Sequence, residues 1–136
     1  MEASLWNIGM KVDDMNSEIA FWEEIGAKLV LRETFTAPDG EEVDYAFVDF
    51  GGTRIFLTPK TVFEDKLGHE LKPGLTHAVF EVEDLDQEYE RLTAMGLEVL
   101  VERVEISAAF GSRRLAFFRS PNGMVFEILQ ILDAKI

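Results

Sequence analysis

The chain repeats itself. Shifted by 70 residues, Val12 falls on Val82, Asp14 on Asp84, Glu18 on Glu88 and Gly26 on Gly96. Under the same shift the helical stripe Met15, Ile19, Trp22 and Ile25 falls on Leu85, Tyr89, Leu92 and Met95, and Ala46-Phe47 falls on Ala116-Phe117. One added residue in the later hairpin turn moves the shift to 71, bringing Gly52 onto Gly123 and Phe56 onto Glu127. Identities, order and periodicity agree, which marks an internal duplication. Any fold that serves one half must therefore serve the other.

The first half opens on a strand from Leu5 to Val12, with Ile8, Met10 and Val12 on one face and Asn7, Gly9 and Lys11 on the other. Trp6, next to Asn7, is expected to point to the opposite face and to stay out of any site there. A helix follows, capped by Asp14 or Asn16, with Trp22 in its core stripe and Gly26 at its end. Further strands are read at Leu29-Val30-Leu31, Tyr45 to Phe50 and Arg54 to Leu57, with turns at Ala37-Pro38-Asp39-Gly40 and Gly51-Gly52. The second half repeats the order: Thr76 to Val82, a helix ending at Gly96, Leu97 to Val101, then Leu115 to Arg119 joined to Val125 to Leu129 through Ser120-Pro121-Asn122-Gly123. This predicts one domain over 1–136, with a first βαβββ module at 1–60, a polar connection at 61–74 and a second module at 75–136.

In each half the helix covers the apolar sheet face. The other face, with Asn7, Gly9 and Lys11 in one half and His77, Val79 and Glu81 in the other, is too polar for core and too apolar for plain surface. The predicted class is α+β: two tandem βαβββ modules forming a curved sheet cup, with helices on the outer face. A cup of such mixed lining is a small-molecule cleft. Tyr45 and Phe47 share one face of the third strand, where they either line that cleft or pack beneath it.

Composition narrows the function. The formal charge of −13 opposes phosphate backbones and anionic lipid, so neither nucleic acid nor membrane is expected as a partner. It attracts cations. The absence of cysteine removes disulfides, thiolate metal sites and a cysteine nucleophile. No apolar run approaches the roughly 20 residues of a membrane span, and the N-terminus lacks a signal-peptide core, so a cytoplasmic location is expected. Without a G-x-S-x-G elbow, phosphate loop, dinucleotide fingerprint or H-E-x-x-H helix, no residue is assigned a catalytic role. His69 reads as a solvated loop residue. Arg113-Arg114 reads as a solvated pair, with an anion clamp as the alternative.

Val12-Asp13-Asp14-Met15, Ala20-Phe21-Trp22 with Gly26, Thr76 to Asp84, and Phe118-Arg119-Ser120-Pro121-Asn122-Gly123 leading to Phe126-Glu127-Ile128 together resemble the vicinal oxygen chelate superfamily. Its members include glyoxalase I, extradiol dioxygenases, methylmalonyl-CoA epimerase and the bleomycin-resistance binding proteins. The resemblance implies metal-ligand positions at Asn7, Phe56, His77 and Glu127. His77 and Glu127 keep the family's donor types, whereas asparagine is a weak donor and phenylalanine is none.

The expected function is therefore a metal-free small-molecule-binding protein of the bleomycin-resistance type. It would hold a partly aromatic, neutral or cationic compound through Asn7, Phe56, His77, Glu127, Tyr45 and Phe47. The resemblance also implies a homodimer. The alternative is a lyase, isomerase or dioxygenase with a divalent metal on His77, Glu127 and a weak third ligand. A third reading keeps the fold only as an interaction surface.

Overall fold

The computed structural model describes residues 2–37 and 39–136; Pro38, and with it part of the turn expected at 37–40, lies outside the described residues. The chain is α+β and divides into two compact units, one formed by Asn7–Thr76 and the other by His77–Ile136 with the stretch ending at Trp6.

The first unit contains most of β1 (Ala3–Lys11), α1 (Met15–Glu24), β2 (Lys28–Thr36), β3 (Glu42–Phe50) and β4 (Thr53–Thr58). Its strands run in the order β2-β3-β4-β1, antiparallel except for the parallel β1–β4 pair. The helical stripe explains the packing. Met15 and Ile19 are buried with Val12, Ala46, Val48, Ile55 and Leu57, and Trp22 lies half-buried against that core. Asp14 caps the helix by accepting from the Ser17 amide at 3.1 Å, satisfying one of the four otherwise orphaned donors. Gly26, at φ 110°, ends it: its amide and that of Ala27 turn back to the Glu23 and Trp22 carbonyls.

The second unit repeats this plan with β5 (Gly74–Val82), α2 (Leu85–Ala94), β6 (Glu98–Ala108), β7 (Gly111–Arg119) and β8 (Val125–Ala134), ordered β5-β8-β7-β6. Asp84 caps α2 through the Gln87 amide at 3.1 Å. Val82, Leu85, Leu92, Ala116, Phe118 and Ile128 form its core. The ladders obey the repeat, slip included. Gly9 pairs with Phe56 as Val79 pairs with Glu127, and Phe47 faces Phe56 as Phe117 faces Glu127.

Three features differ from the sequence reading. First, β2 and β6 run on to Thr36 and Ala108, well past the short segments expected, and each carries register shifts at its bulges. Second, the connection is not simply polar. Phe63 is completely buried, Thr61 nearly so, and a short 3-10 turn spans Glu64–Lys66. Third, Arg113 and Arg114 are not a solvated pair. Strand alternation sends Arg114 outward to Asp86, at 2.9 and 3.0 Å. Arg113 goes inward, where its guanidinium lies 4.6 Å from the Trp6 ring and 4.1 Å from the Phe110 ring. His69 is exposed, as a loop residue should be.

Candidate functional site

The second unit holds a buried acid–base pair. β5 and β8 run parallel and adjacent, and the Val79–Glu127 register aims the carboxylate toward the imidazole two residues back on β5. His77 Nε2 lies 3.5 Å from Glu127 Oε1, with side chains only 6% and 10% exposed. That separation is ion-pair range and the outer limit of a hydrogen bond. The imidazole also packs on Phe117, ring centroids 5.3 Å apart, and Phe117 is the ladder partner of Glu127 on β7. Val79, Leu115 and Leu129 are buried in the same unit. A carboxylate in such surroundings depends on a nearby donor or cation, and the His77 imidazole is placed to supply it. The sequence reading missed Phe117, although its ladder position beside Glu127 follows from the repeat.

The first unit places aromatic residues at the corresponding positions. Phe56 stacks on Tyr45 with centroids 5.7 Å apart and an interplanar angle of 30°, and lies 5.1 Å from Phe47. Phe35 extends the cluster, 5.6 Å from Tyr45; it too was not anticipated, since an isolated phenylalanine in a polar strand carries no pattern. Tyr45 and Phe47 are buried and pack on each other as well as on Phe56. Asn7 is buried, its side-chain amide donating to the Ile8 carbonyl at 3.3 Å.

His77 and Glu127 are two good donors, the matching first-half positions offer an amide and a phenyl ring, and catalytic zinc ordinarily takes three protein ligands. Among the described residues no group of three or more histidine, aspartate or glutamate side chains is placed to hold a metal. A depression of about 700 Å³ on the second unit lies along Glu2, Ser4, Glu81, Glu83 and Gln130, and its lining includes neither His77 nor Glu127. We attach the chemistry to the buried pair, because an open acidic surface lacks converging groups of complementary type.

A duplicated βαβββ unit with its acid–base pair on the first and last strands defines a class, and comparison with known proteins agrees. The family model described as Glyoxalase/Bleomycin resistance protein/Dioxygenase superfamily matches residues 7–128, and the chain belongs to that family. It is 27% identical over 135 residues to the Bacillus subtilis (strain 168) protein YraH, covering 94% of this chain and 98% of that one. Among solved structures it is similar to the Bacillus halodurans C-125 protein BH1468, with TM-score 0.73, 19% identity and coverage of 96% and 95%. It is also similar to methylmalonyl-CoA epimerase from Mycobacterium tuberculosis, with TM-score 0.70, 22% identity and coverage of 93% and 87%. A variant of 4-hydroxymandelate synthase from Streptomyces coelicolor matches with TM-score 0.71 and 20% identity, over 97% of this chain and 50% of that one. These structural likenesses establish the fold. No helix among the described residues is long and apolar enough to cross a membrane.

Proposed function

We propose that this chain is a metal-free small-molecule-binding protein, with the His77–Glu127 pair as the polar anchor of its ligand. The observation carrying this reading is the contrast between the duplicated halves. One keeps a histidine and a carboxylate at the family's ligand positions, 3.5 Å apart, and the other has Asn7 and an aromatic cluster of Tyr45, Phe47 and Phe56. Two strong donors are too few for a catalytic zinc, yet a carboxylate beside an imidazole and a phenyl ring suits a partly aromatic, neutral or cationic guest. The charge of −13 favours capture of cations at long range. In this reading the protein works in the cytoplasm and assembles as a homodimer, as the family resemblance implies.

Two measurements test it. Elemental analysis of protein purified without chelator is expected to show no stoichiometric zinc, nickel or iron. In a thermal-shift panel of aromatic cations, neutrals and anions, cations and neutrals are expected to stabilise the protein, and Glu127→Gln to abolish the cation response. One equivalent of metal lost in Glu127→Ala would instead support the second reading. That reading is a metal-dependent lyase, isomerase or dioxygenase, and it is favoured by the retained His77–Glu127 pair and by solved relatives that are enzymes.

A further inference from the structure

The duplication provides an internal control for the surface. On the first unit, Phe21 is 50% exposed, Ile25 44% and Phe50 40%. They are contiguous: Phe21 and Phe50 each lie 5.7 Å, ring to ring, from the half-buried Trp22, and Ile25 lies one turn beyond Phe21, at the C-cap of α1. Under the 70-residue shift these positions become Arg91, Met95 and Ser120 in the second half. The fold therefore does not require aromatic residues at the Phe21 and Phe50 positions.

The charges around the patch are equally particular. The last turn of α1 has no basic residue, and Glu23 and Glu24 stand there against the negative end of the helix dipole. Among the described residues neither has an ion pair. Their counterparts are Thr93 and Ala94, and the acids of α2 are matched from within the chain: Asp86 by Arg103 and Arg114, Glu88 by Arg91 and Glu90 by Arg103. The first half thus leaves an aromatic patch beside two unmatched carboxylates, where its own copy keeps one exposed apolar side chain, Met95, and otherwise has arginine, threonine, alanine and serine.

We infer that the face formed by Phe21, Trp22, Ile25 and Phe50, edged by Glu23 and Glu24, docks a basic amphipathic segment of a partner protein. The segment's apolar side covers the rings, and its lysine or arginine side chains meet the two carboxylates and the helix C-terminus. Charge decides the occupant. A second copy docked by this face would set its own Glu23 and Glu24 against the same two carboxylates, and anionic lipid is repelled by them in the same way. The inference is independent of what binds at His77 and Glu127.

The test uses the full chain and a synthetic leucine–lysine peptide with helical periodicity, against an isomer scrambled to remove its apolar face and a version with glutamate for lysine. Titration calorimetry is expected to show tight binding of the first peptide only, weakening as salt rises. Amide shifts are expected to cluster at 15–25 and 49–54. Phe21→Ser with Phe50→Ser changes exposed positions only and is expected to cost roughly tenfold or more in affinity, as loss of aromatic anchors does. Glu23→Gln with Glu24→Gln is expected to flatten the salt dependence. Leu75→Ser, at a site 71% exposed elsewhere on the unit, is expected to change nothing. Equal binding of the scrambled peptide, an equal loss in Leu75→Ser, or shifts away from α1 would overturn the inference. So would sedimentation showing self-association abolished by Phe21→Ser, which would assign the face to a second copy.

Discussion

Lys11 on β1 places its ammonium 2.8 Å from Glu64 Oε2 in the connection, with both side chains largely withdrawn from water. Glu70 approaches the same ammonium at 3.7 Å, and the Leu71 amide donates to Glu64 Oε2 at 3.4 Å. Removing one member of such a pair strands the other. We expect Lys11→Met to cost about 3 kcal/mol, and Lys11→Met with Glu64→Leu to recover most of it. Urea unfolding of the wild type, both single variants and the double variant measures the coupling. A double variant as unstable as the worse single one would show that the pair is not a unit.

The same pair sets a pH dependence at both extremes. The hydrogen bond to Glu64 holds Lys11 above its ordinary value against the opposing effect of burial. Burial pushes Glu64 up, but Lys11 and the Leu71 amide outweigh it and leave the carboxyl below its ordinary range. The lysine contribution is therefore complete below its unfolded value of 10.5 and is lost as pH rises through the raised folded value. The glutamate contribution is complete above 4.5 and is lost as pH falls through the lowered folded value. Stability against pH should lose slope at the alkaline end in Lys11→Met and at the acid end in Glu64→Gln.

Asp86 is the clearest single titration on the surface. Arg114 and then Arg103 hold its carboxyl down from 3.8 to about 2. Its contribution is present above pH 3.8 and disappears as pH falls toward 2. Side-chain carboxyl chemical shifts should place its midpoint near 2, moving toward the ordinary value in Arg114→Gln or at high salt. A midpoint close to 4 in the wild type would count against the Arg103–Asp86–Arg114 geometry.

Gly111 opens β7 at φ 115°, and a Cβ there would lie 1.9 Å from the Asp133 carbonyl oxygen. Gly123, at φ 89°, has open space around it. Backbone strain affects both, steric collision only one. Gly111→Ala should cost about 3 kcal/mol and Gly123→Ala about 1 kcal/mol, measured by equilibrium unfolding. Equal costs would leave the close approach of β8 without consequence.

Arg113 tests whether aromatic faces or charge alone hold a buried guanidinium. Lysine keeps the charge but not the planar group that lies over Trp6 and Phe110. Arg113→Lys should lose about 1 kcal/mol or more, with a change in Trp6 emission. The same substitution in a Trp6→Leu background should cost measurably less.

What the sequence disclosed depended on periodicity. The duplication located Phe56, His77 and Glu127 in register, because a repeat fixes strand positions even where single residues are ambiguous. The ends of β2 and β6 were hidden for a physical reason. Glu102, Arg103 and Glu105 are exposed, and bulges between Val99 and Val104 break the alternation that marks a strand. Phe63 gave no warning of its burial because one aromatic in a polar stretch has no phase. Arg113 and Arg114 looked equivalent as neighbours in sequence, and only the pleat separates them.

The seams of the two units fall at Trp6/Asn7 and at Thr76/His77, separated by the same 70-residue step as the repeat. Each copy has thus surrendered its opening residues to the other, and Trp6 over Arg113 is the visible outcome of one such loan. A gene fragment cut between the modules would encode a polypeptide lacking part of its own core.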